Sequence, residues 1–272
     1  MPELPEVQTT VNGIKPYLIN KKIKSCSVFV KKLRWNLQKD LTKKIINLKI
    51  LEITRRAKYI IISGNNFYLT IHLGMTGTLR IASKKDMRMK HDHFEIQLSS
   101  NKILRFNDPR KFGMIFYSIK HPTLFHKLLI NLGPEPLNKD FNDEYLFTKT
   151  RNRSVAIKSL LMNSNIVVGI GNIYASESLF LSGIKPSKAS KTLTKKNCRD
   201  LVASIKNVLK EAIKKGGSSI NDYINVDGKS GYFQFDFKVY GRTSQPCHIC
   251  QSDILQIKIN QRSSFYCKNC QK

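Results

Sequence analysis

The chain has 272 residues, with 47 Lys and Arg against 19 Asp and Glu, for a formal charge of +28. Its 41% hydrophobic and 24% charged residues exclude a disordered chain, and no run approaches the roughly 18 apolar residues that a membrane-spanning helix requires. The charge points to a polyanionic partner, because each phosphate neutralised by Lys or Arg releases counterions; a general richness in Lys, Asn and Ile is the alternative source of the same basicity.

The length predicts roughly two domains of about 100–150 residues, each able to bury a core. The start, Met1-Pro2-Glu3-Leu4-Pro5-Glu6, lacks the basic flank and apolar stretch of an export signal, so a cytosolic protein is expected. Leu4, Val7, Val11, Ile14 and Leu18 recur at intervals of three and four, predicting an amphipathic helix over about 4–18 with Pro5 in its first turn. From about 23 to 118 the signals turn to strands: 58–63, 67–73, the alternation Phe94/Ile96/Leu98, 103–106 and 114–117, punctuated by Gly64, Gly74, Gly77 and Gly113. That half is expected to form a β-sandwich or barrel. Leu132-Gly133-Pro134-Glu135-Pro136 marks a boundary. Beyond it, helices are predicted over 155–164 and 173–182, and a longer one on Leu201, Val202, Ile205, Val208, Leu209, Ala212 and Ile213, ended by Gly216-Gly217. Lys206, Lys210 and Lys214 line one side of that helix, more simply as a solvated face than as a binding stripe.

Four of the six cysteines form Cys247-x-x-Cys250 and Cys267-x-x-Cys270, sixteen residues apart. This spacing favours one tetrahedral zinc over two disulfides, and the segment between the pairs suits a β-hairpin. Four thiolates leave the ion no open position for water, so its role is structural and catalysis must come from elsewhere. Arg262, near the hairpin's turn, could present a guanidinium to phosphate or stand idle in solvent.

Pro2 offers a different chemistry. A small second residue permits removal of Met1, leaving a secondary amine at the chain start. An α-amino group near pKa 7.7–8.0 is neutral in roughly a tenth of molecules at pH 7, against well under a thousandth for a lysine near 10.4; proline is more basic than most, so the site would have to lower it. A secondary amine that attacks a sugar carbon yields an iminium with no N–H to lose, an electron sink for eliminating a neighbouring phosphate. Glu3 is placed to move protons at that centre, with Lys58 as a second acid or a phosphate anchor.

Met1-Pro2-Glu3-Leu4-Pro5-Glu6-Val7, Arg55-Arg56-Ala57-Lys58-Tyr59, His72-Leu73-Gly74-Met75-Thr76-Gly77, Lys90-His91-Asp92-His93, Asn107-Asp108-Pro109-Arg110-Lys111-Phe112-Gly113, Gly169-Ile170-Gly171-Asn172-Ile173-Tyr174-Ala175-Ser176-Glu177 and the cysteine hairpin together resemble bacterial formamidopyrimidine-DNA glycosylases, in order and along essentially the whole chain. The resemblance implies an α+β multidomain protein: an N-terminal catalytic β-sandwich with its N-terminal helix (1–132), a helical helix-two-turns-helix DNA-binding domain (133–237) and a zinc β-hairpin (238–272). It also implies a bifunctional base-excision repair enzyme acting on double-stranded DNA, which removes oxidised purines such as 8-oxoguanine and formamidopyrimidines and then nicks the abasic strand by β,δ-elimination. The sequence offers no signal for a dimer interface, so a monomer is expected.

By the same resemblance Pro2 is the Schiff-base nucleophile, Glu3 protonates the opening sugar, Lys58 assists the first elimination, and Arg262 assists the second while holding phosphate. Zinc is held by Cys247, Cys250, Cys267 and Cys270. Met75, Arg110 and Phe112 match the trio that fills the void left by a flipped base; a thioether and a phenyl ring stack on bases, and a guanidinium can bond the orphaned cytosine. His91, Asn172 and Lys158 fall among the DNA contacts. A further basic contact aligns loosely, on Ser154 by strict alignment or on Arg153 as its substitute. Ser218–Tyr223 and Asp227–Phe233 look like the lid over the lesion.

Two rivals remain. An endonuclease VIII-like relative would share the fold and amine chemistry while taking oxidised pyrimidines, but it usually carries glycine where Leu4 stands and lacks the full trio. A non-catalytic zinc-ribbon DNA binder would explain the charge and cysteines, and has no need of Pro2, Glu3 and Lys58 together.

Overall fold

The computed structural model describes residues 1–218 and 233–272, the side chains of Gln234 and Phe235 excepted, so most of the expected lid, 219–232, lies outside the described residues. The chain divides into two units: Met1–Ile130 with Lys215–Tyr232, and Asn131–Lys214 with Phe233–Lys272.

The first unit opens with helix α1 (Leu4–Leu18), at the predicted bounds. Val7, Val11, Ile14 and Leu18 bury one stripe into the same core as the strands. Two antiparallel four-stranded sheets follow. One runs in the order β1 (Ile23–Val28), β6 (Asp92–Leu98), β7 (Ile103–Asn107), β5 (Thr78–Ala82). The other runs β2 (Glu52–Arg56), β3 (Tyr59–Gly64), β4 (Phe67–His72), β8 (Met114–Ser118). Ile60, Ile62, Leu69 and Ile71 of one sheet share a buried cluster with Leu79, Phe94, Ile96 and Leu104 of the other, the interleaved core of a sandwich. A short helix, α2 (Leu41–Ile45), caps the core with Leu41 and Ile45.

The second unit holds α3 (Asp143–Thr150), α4 (Ile157–Leu161), α5 (Asn172–Leu181), α6 (Lys195–Lys214) and a hairpin of β9 (Ile254–Ile259) and β10 (Arg262–Cys267). The α6 stripe is as predicted, except that Ile213 is only half-buried. The α4 helix is shorter than expected. Its front is drawn into a bridge, with Ser190 N–H donating to the Val155 carbonyl at 2.9 Å, and beyond Met162 the chain turns through Asn163. The hairpin shares a core with Phe180 of α5 and Val239, so it packs with the helices and forms no separate third body. Among the described residues no helix is long and apolar enough to cross a membrane.

Candidate active site

Glu3 is buried and caps α1 from an extended backbone. Its N–H donates to Glu6 Oε2 at 2.7 Å. The other oxygen of Glu6 accepts from both the N–H and the hydroxyl of Ser218, at 2.9 and 3.0 Å. One buried carboxylate therefore ties the chain start to the residue at which the described part of the 215–232 segment ends. The spacing Glu-x-x-Glu before an apolar stripe is the signal that could have marked Glu6, as a variant of the capping box.

Pro2 is buried beneath a Met1 that is 51% exposed. The Met1 amine is held below its usual value, first by burial; Glu3 and Glu6 oppose that shift, and Lys58 and Arg110 add to it. An amine, two carboxylates and two cations thus lie within electrostatic reach of one another.

Lys58 occupies the tight turn between β2 and β3, where Arg56 pairs with Tyr59 and Ala57 takes a φ of 54°. Arg55 braces that turn: Nη1 donates to the Ala57 carbonyl at 2.8 Å and Nε to Gln8 Oε1 on α1 at 3.0 Å. Beside it, burial, then Lys58 and Arg34, lower His72 to about 4, so the ring is neutral at pH 7. With Nδ1 accepting from Gly74 N–H at 3.0 Å, the ring proton sits on Nε2.

Met75, Arg110 and Phe112 come together. Gly74, at a φ of +69°, lies so near the Phe112–Gly113 backbone that a Cβ would approach Phe112 C to 2.5 Å; only glycine lets these loops touch. Met75 and Phe112 are each 42% exposed, and the Arg110 guanidinium lies 4.8 Å from the Phe112 ring centre. Large apolar side chains presented this way suit stacking on bases. Lys111 between them has a φ of 54°.

Asp108, fully buried, organises these loops. Its carboxylate accepts from Thr76 Oγ1 and Gly113 N–H, both at 2.7 Å, its N–H donates to the His91 carbonyl at 3.0 Å, and its own carbonyl meets His93 Nε2 at 3.0 Å. Arg110 N–H also reaches Thr76 Oγ1, at 3.3 Å. The half-exposed His91 is thereby tied to the trio's loops. Nothing local to the Asn107–Gly113 motif marks Asp108 for this task, because its partners are up to 32 residues away.

In the second unit the hairpin turns through Asn260 and Gln261, with φ of 46° and 61°, the left-handed pair of a type I′ turn. Arg262 follows as the exposed first residue of β10. Arg153 and Ser154 are both exposed ahead of α4. Lys158 departs from expectation. It is 1% exposed, with Nζ donating to the Ser263 carbonyl at 2.9 Å and to Ser264 Oγ at 2.8 Å, so α4 buries the ammonium against β10 where a direct DNA contact was expected. Asn172 likewise spends an Nδ2 hydrogen on the Ser263 carbonyl, at 3.0 Å.

The four sulfurs of Cys247, Cys250, Cys267 and Cys270 lie within 4.8 Å of one another. A tetrahedral zinc with bonds of about 2.3 Å sets its sulfurs about 3.8 Å apart, close to the 3.9 Å of Cys247–Cys270 and the 3.4 Å of Cys250–Cys267. Four thiols so close resist ionising together: the Ser252 backbone draws Cys250 down to about 6, whereas burial and then the neighbouring sulfurs push Cys270 up to about 12. A divalent cation resolves that conflict, and the donor set fits one structural zinc.

Three family profiles match the sequence: the formamidopyrimidine-DNA glycosylase N-terminal domain over residues 1–115, the formamidopyrimidine-DNA glycosylase H2TH domain over 132–223, and a zinc finger found in FPG and IleRS over 244–272. A formamidopyrimidine-DNA glycosylase of Histophilus somni (strain 129Pt) is 48% identical over 272 residues, covering 100% of both chains. One of Haemophilus influenzae (strain ATCC 51907 / DSM 11121 / KW20 / Rd) is 47% identical over the same length, covering 99% of the relative. Among solved structures, Lactococcus lactis Fpg bound to DNA containing N7-benzyl-Fapy-dG superposes with a TM-score of 0.92 at 34% identity over 100% of both chains. A complex of the same enzyme with abasic-site DNA gives 0.92 over 99% of both. With identity at this level along its entire length, the chain belongs to the formamidopyrimidine-DNA glycosylase family.

Proposed function

We propose that the chain is a bifunctional DNA glycosylase and abasic-site lyase that excises oxidised purines from duplex DNA through the Pro2 nitrogen. The observation that carries this reading is the placing of Pro2 and Glu3, buried side by side at the head of α1, with Lys58 in electrostatic reach of the chain start. Removal of Met1 turns the Pro2 nitrogen into a secondary amine. Its lone pair forms a bond to C1′ of the flipped nucleotide, the base departs with a proton, and Glu3 protonates the opening sugar oxygen. The resulting iminium draws electrons from C2′ once a proton is lost there, breaking the C3′–O bond with help from Lys58. A second elimination breaks the C5′–O bond, with Arg262 holding the departing phosphate. Bound zinc would fix the hairpin that carries Arg262 and has no part in these steps.

Leu4, Met75, Arg110 and Phe112 favour purine lesions, with Arg110 facing the unpaired cytosine. A Lactococcus lactis Fpg complex holds DNA containing an oxidised pyrimidine, at a TM-score of 0.91 and 33% identity, so an oxidised-pyrimidine duplex belongs beside 8-oxoguanine in any assay. The protein acts as a monomer in the cytosol, on the nucleoid.

Borohydride reduction with a duplex bearing 8-oxoguanine opposite cytosine, followed by peptide mapping, tests the reading. The sugar remnant is expected on Pro2 of a chain lacking Met1; its appearance on Lys58 or another side chain overturns the mechanism. DNA affinity is also expected to fall steeply with salt, by roughly 0.9 logarithmic units per logarithmic unit for each phosphate contacted. A flat response in a salt titration would remove the electrostatic basis for DNA binding.

A further inference from the structure

Lys158 has no place in the chemistry above, yet its contacts lead to a residue that does. It is the second residue of α4, and its buried Nζ spans to β10 to hold the Ser263 carbonyl at 2.9 Å and Ser264 Oγ at 2.8 Å. Ser264 Oγ in turn donates to the carbonyl of Arg262, at 3.3 Å. Asn172, the first residue of α5, donates to the same Ser263 carbonyl at 3.0 Å, and Asn260 Nδ2 in the hairpin turn donates to Ser159 Oγ at 3.0 Å. The backbone on both sides of Arg262 is therefore moored to two helices, while the guanidinium side chain stays exposed.

An apolar residue would fill the space under β10 without desolvating an ammonium or freezing a long side chain. What the ammonium adds is directed donors, two of which are spent on the residues following Arg262. We infer that Lys158 is a positioning residue: through Ser263 and Ser264 it fixes the backbone at Arg262, and so the place of the guanidinium during the second elimination. This inference rests on the assignment of Arg262 to that step.

The test uses full-length, zinc-loaded protein on a duplex with a preformed abasic site, resolving β- from δ-elimination products. Lys158→Gln is expected to retain zinc and wild-type yield of the borohydride adduct, while the second elimination slows by about ten- to hundredfold, the scale of a small misplacement of a reacting group. Ser264→Ala shifts the product ratio the same way by less, and Lys158→Arg recovers part of the loss. Arg262→Gln separates the two ideas. If it leaves the ratio unchanged, the role of Arg262 fails. If it slows the second step and zinc-loaded Lys158→Gln does not, the positioning role fails. Equal loss of adduct and second step in Lys158→Gln also overturns the inference, in favour of a direct DNA contact. Should Lys158→Gln lose zinc, Ser264→Ala decides, and an unchanged ratio there overturns it.

Discussion

Pro2→Gly slows strand nicking by roughly 10²- to 10³-fold while duplex affinity stays nearly intact. Glycine leaves an amine at the same place in sequence, so the variant separates the kind of amine from its mere presence. A primary amine can bond to C1′, but its imine sheds the N–H proton and ceases to be a permanent cation, so the electron sink for elimination is lost. The pyrrolidine ring also fixes the direction of the lone pair, which glycine leaves free. Affinity, by contrast, is expected to depend on cations and stacking groups that the substitution does not touch, among them Arg110, Met75 and Phe112. Single-turnover nicking of an 8-oxoguanine duplex, beside a binding titration with a non-cleavable abasic analogue, reads the two quantities separately. Pro2 is buried, so a packing role is a real competitor, and an equal loss of rate and affinity would establish it.

Cys250→Ala releases zinc and abolishes DNA binding, yet leaves most of the helical signal. Zinc held by four thiolates is worth on the order of 10 kcal/mol or more in small zinc modules, and a two-stranded hairpin is marginal alone. Its core consists of Cys247, Ile254, Phe265 and Cys267 packed on Phe180 and Val239; removing one sulfur leaves three thiols competing for charge with no tetrahedral site. The α6 stripe of Leu201, Ile205, Leu209 and Ala212 is buried elsewhere in the unit, so the helices persist. Metal analysis, circular dichroism and a DNA titration on one preparation check all three. Retained binding after zinc loss would show that the hairpin is peripheral.

How much was legible depended on the range of the interactions. Helix α1 was read to the residue because its stripe repeats locally, and the four cysteines because pairing at short spacing is itself the signal. Strands rich in Ile and Phe, such as 59–64 and 103–107, were found; β1, with the sequence Ile-Lys-Ser-Cys-Ser-Val, carries too little alternation to stand out and takes its register from Phe94–Leu98 beside it. Helix α3 was missed although Asn142 caps it, its side chain accepting from Tyr145 N–H at 2.9 Å. Asp108, Lys158 and the second half of the Glu6 contacts were opaque for one reason: each has a partner far along the chain, Thr76 at 32 residues from Asp108, Ser263 at 105 from Lys158 and Ser218 at 212 from Glu6. The burial of Lys158, which turns an expected DNA contact into a mooring, follows from such distant pairing and from nothing in its neighbours.

Of the described non-glycine residues with positive φ, five are not asparagine: Ala57, Lys111, Ser244, Gln251 and Gln261. Ala57 precedes Lys58, Lys111 separates Arg110 from Phe112, and Gln261 precedes Arg262. Glycine at any of these three would relieve about 1–2 kcal/mol of backbone cost and widen the arc through which the adjoining side chain swings. Under the proposed mechanism, thermal robustness and turnover therefore pull in opposite directions there, and a chain optimised for heat resistance alone would trade away the aim of its own cations.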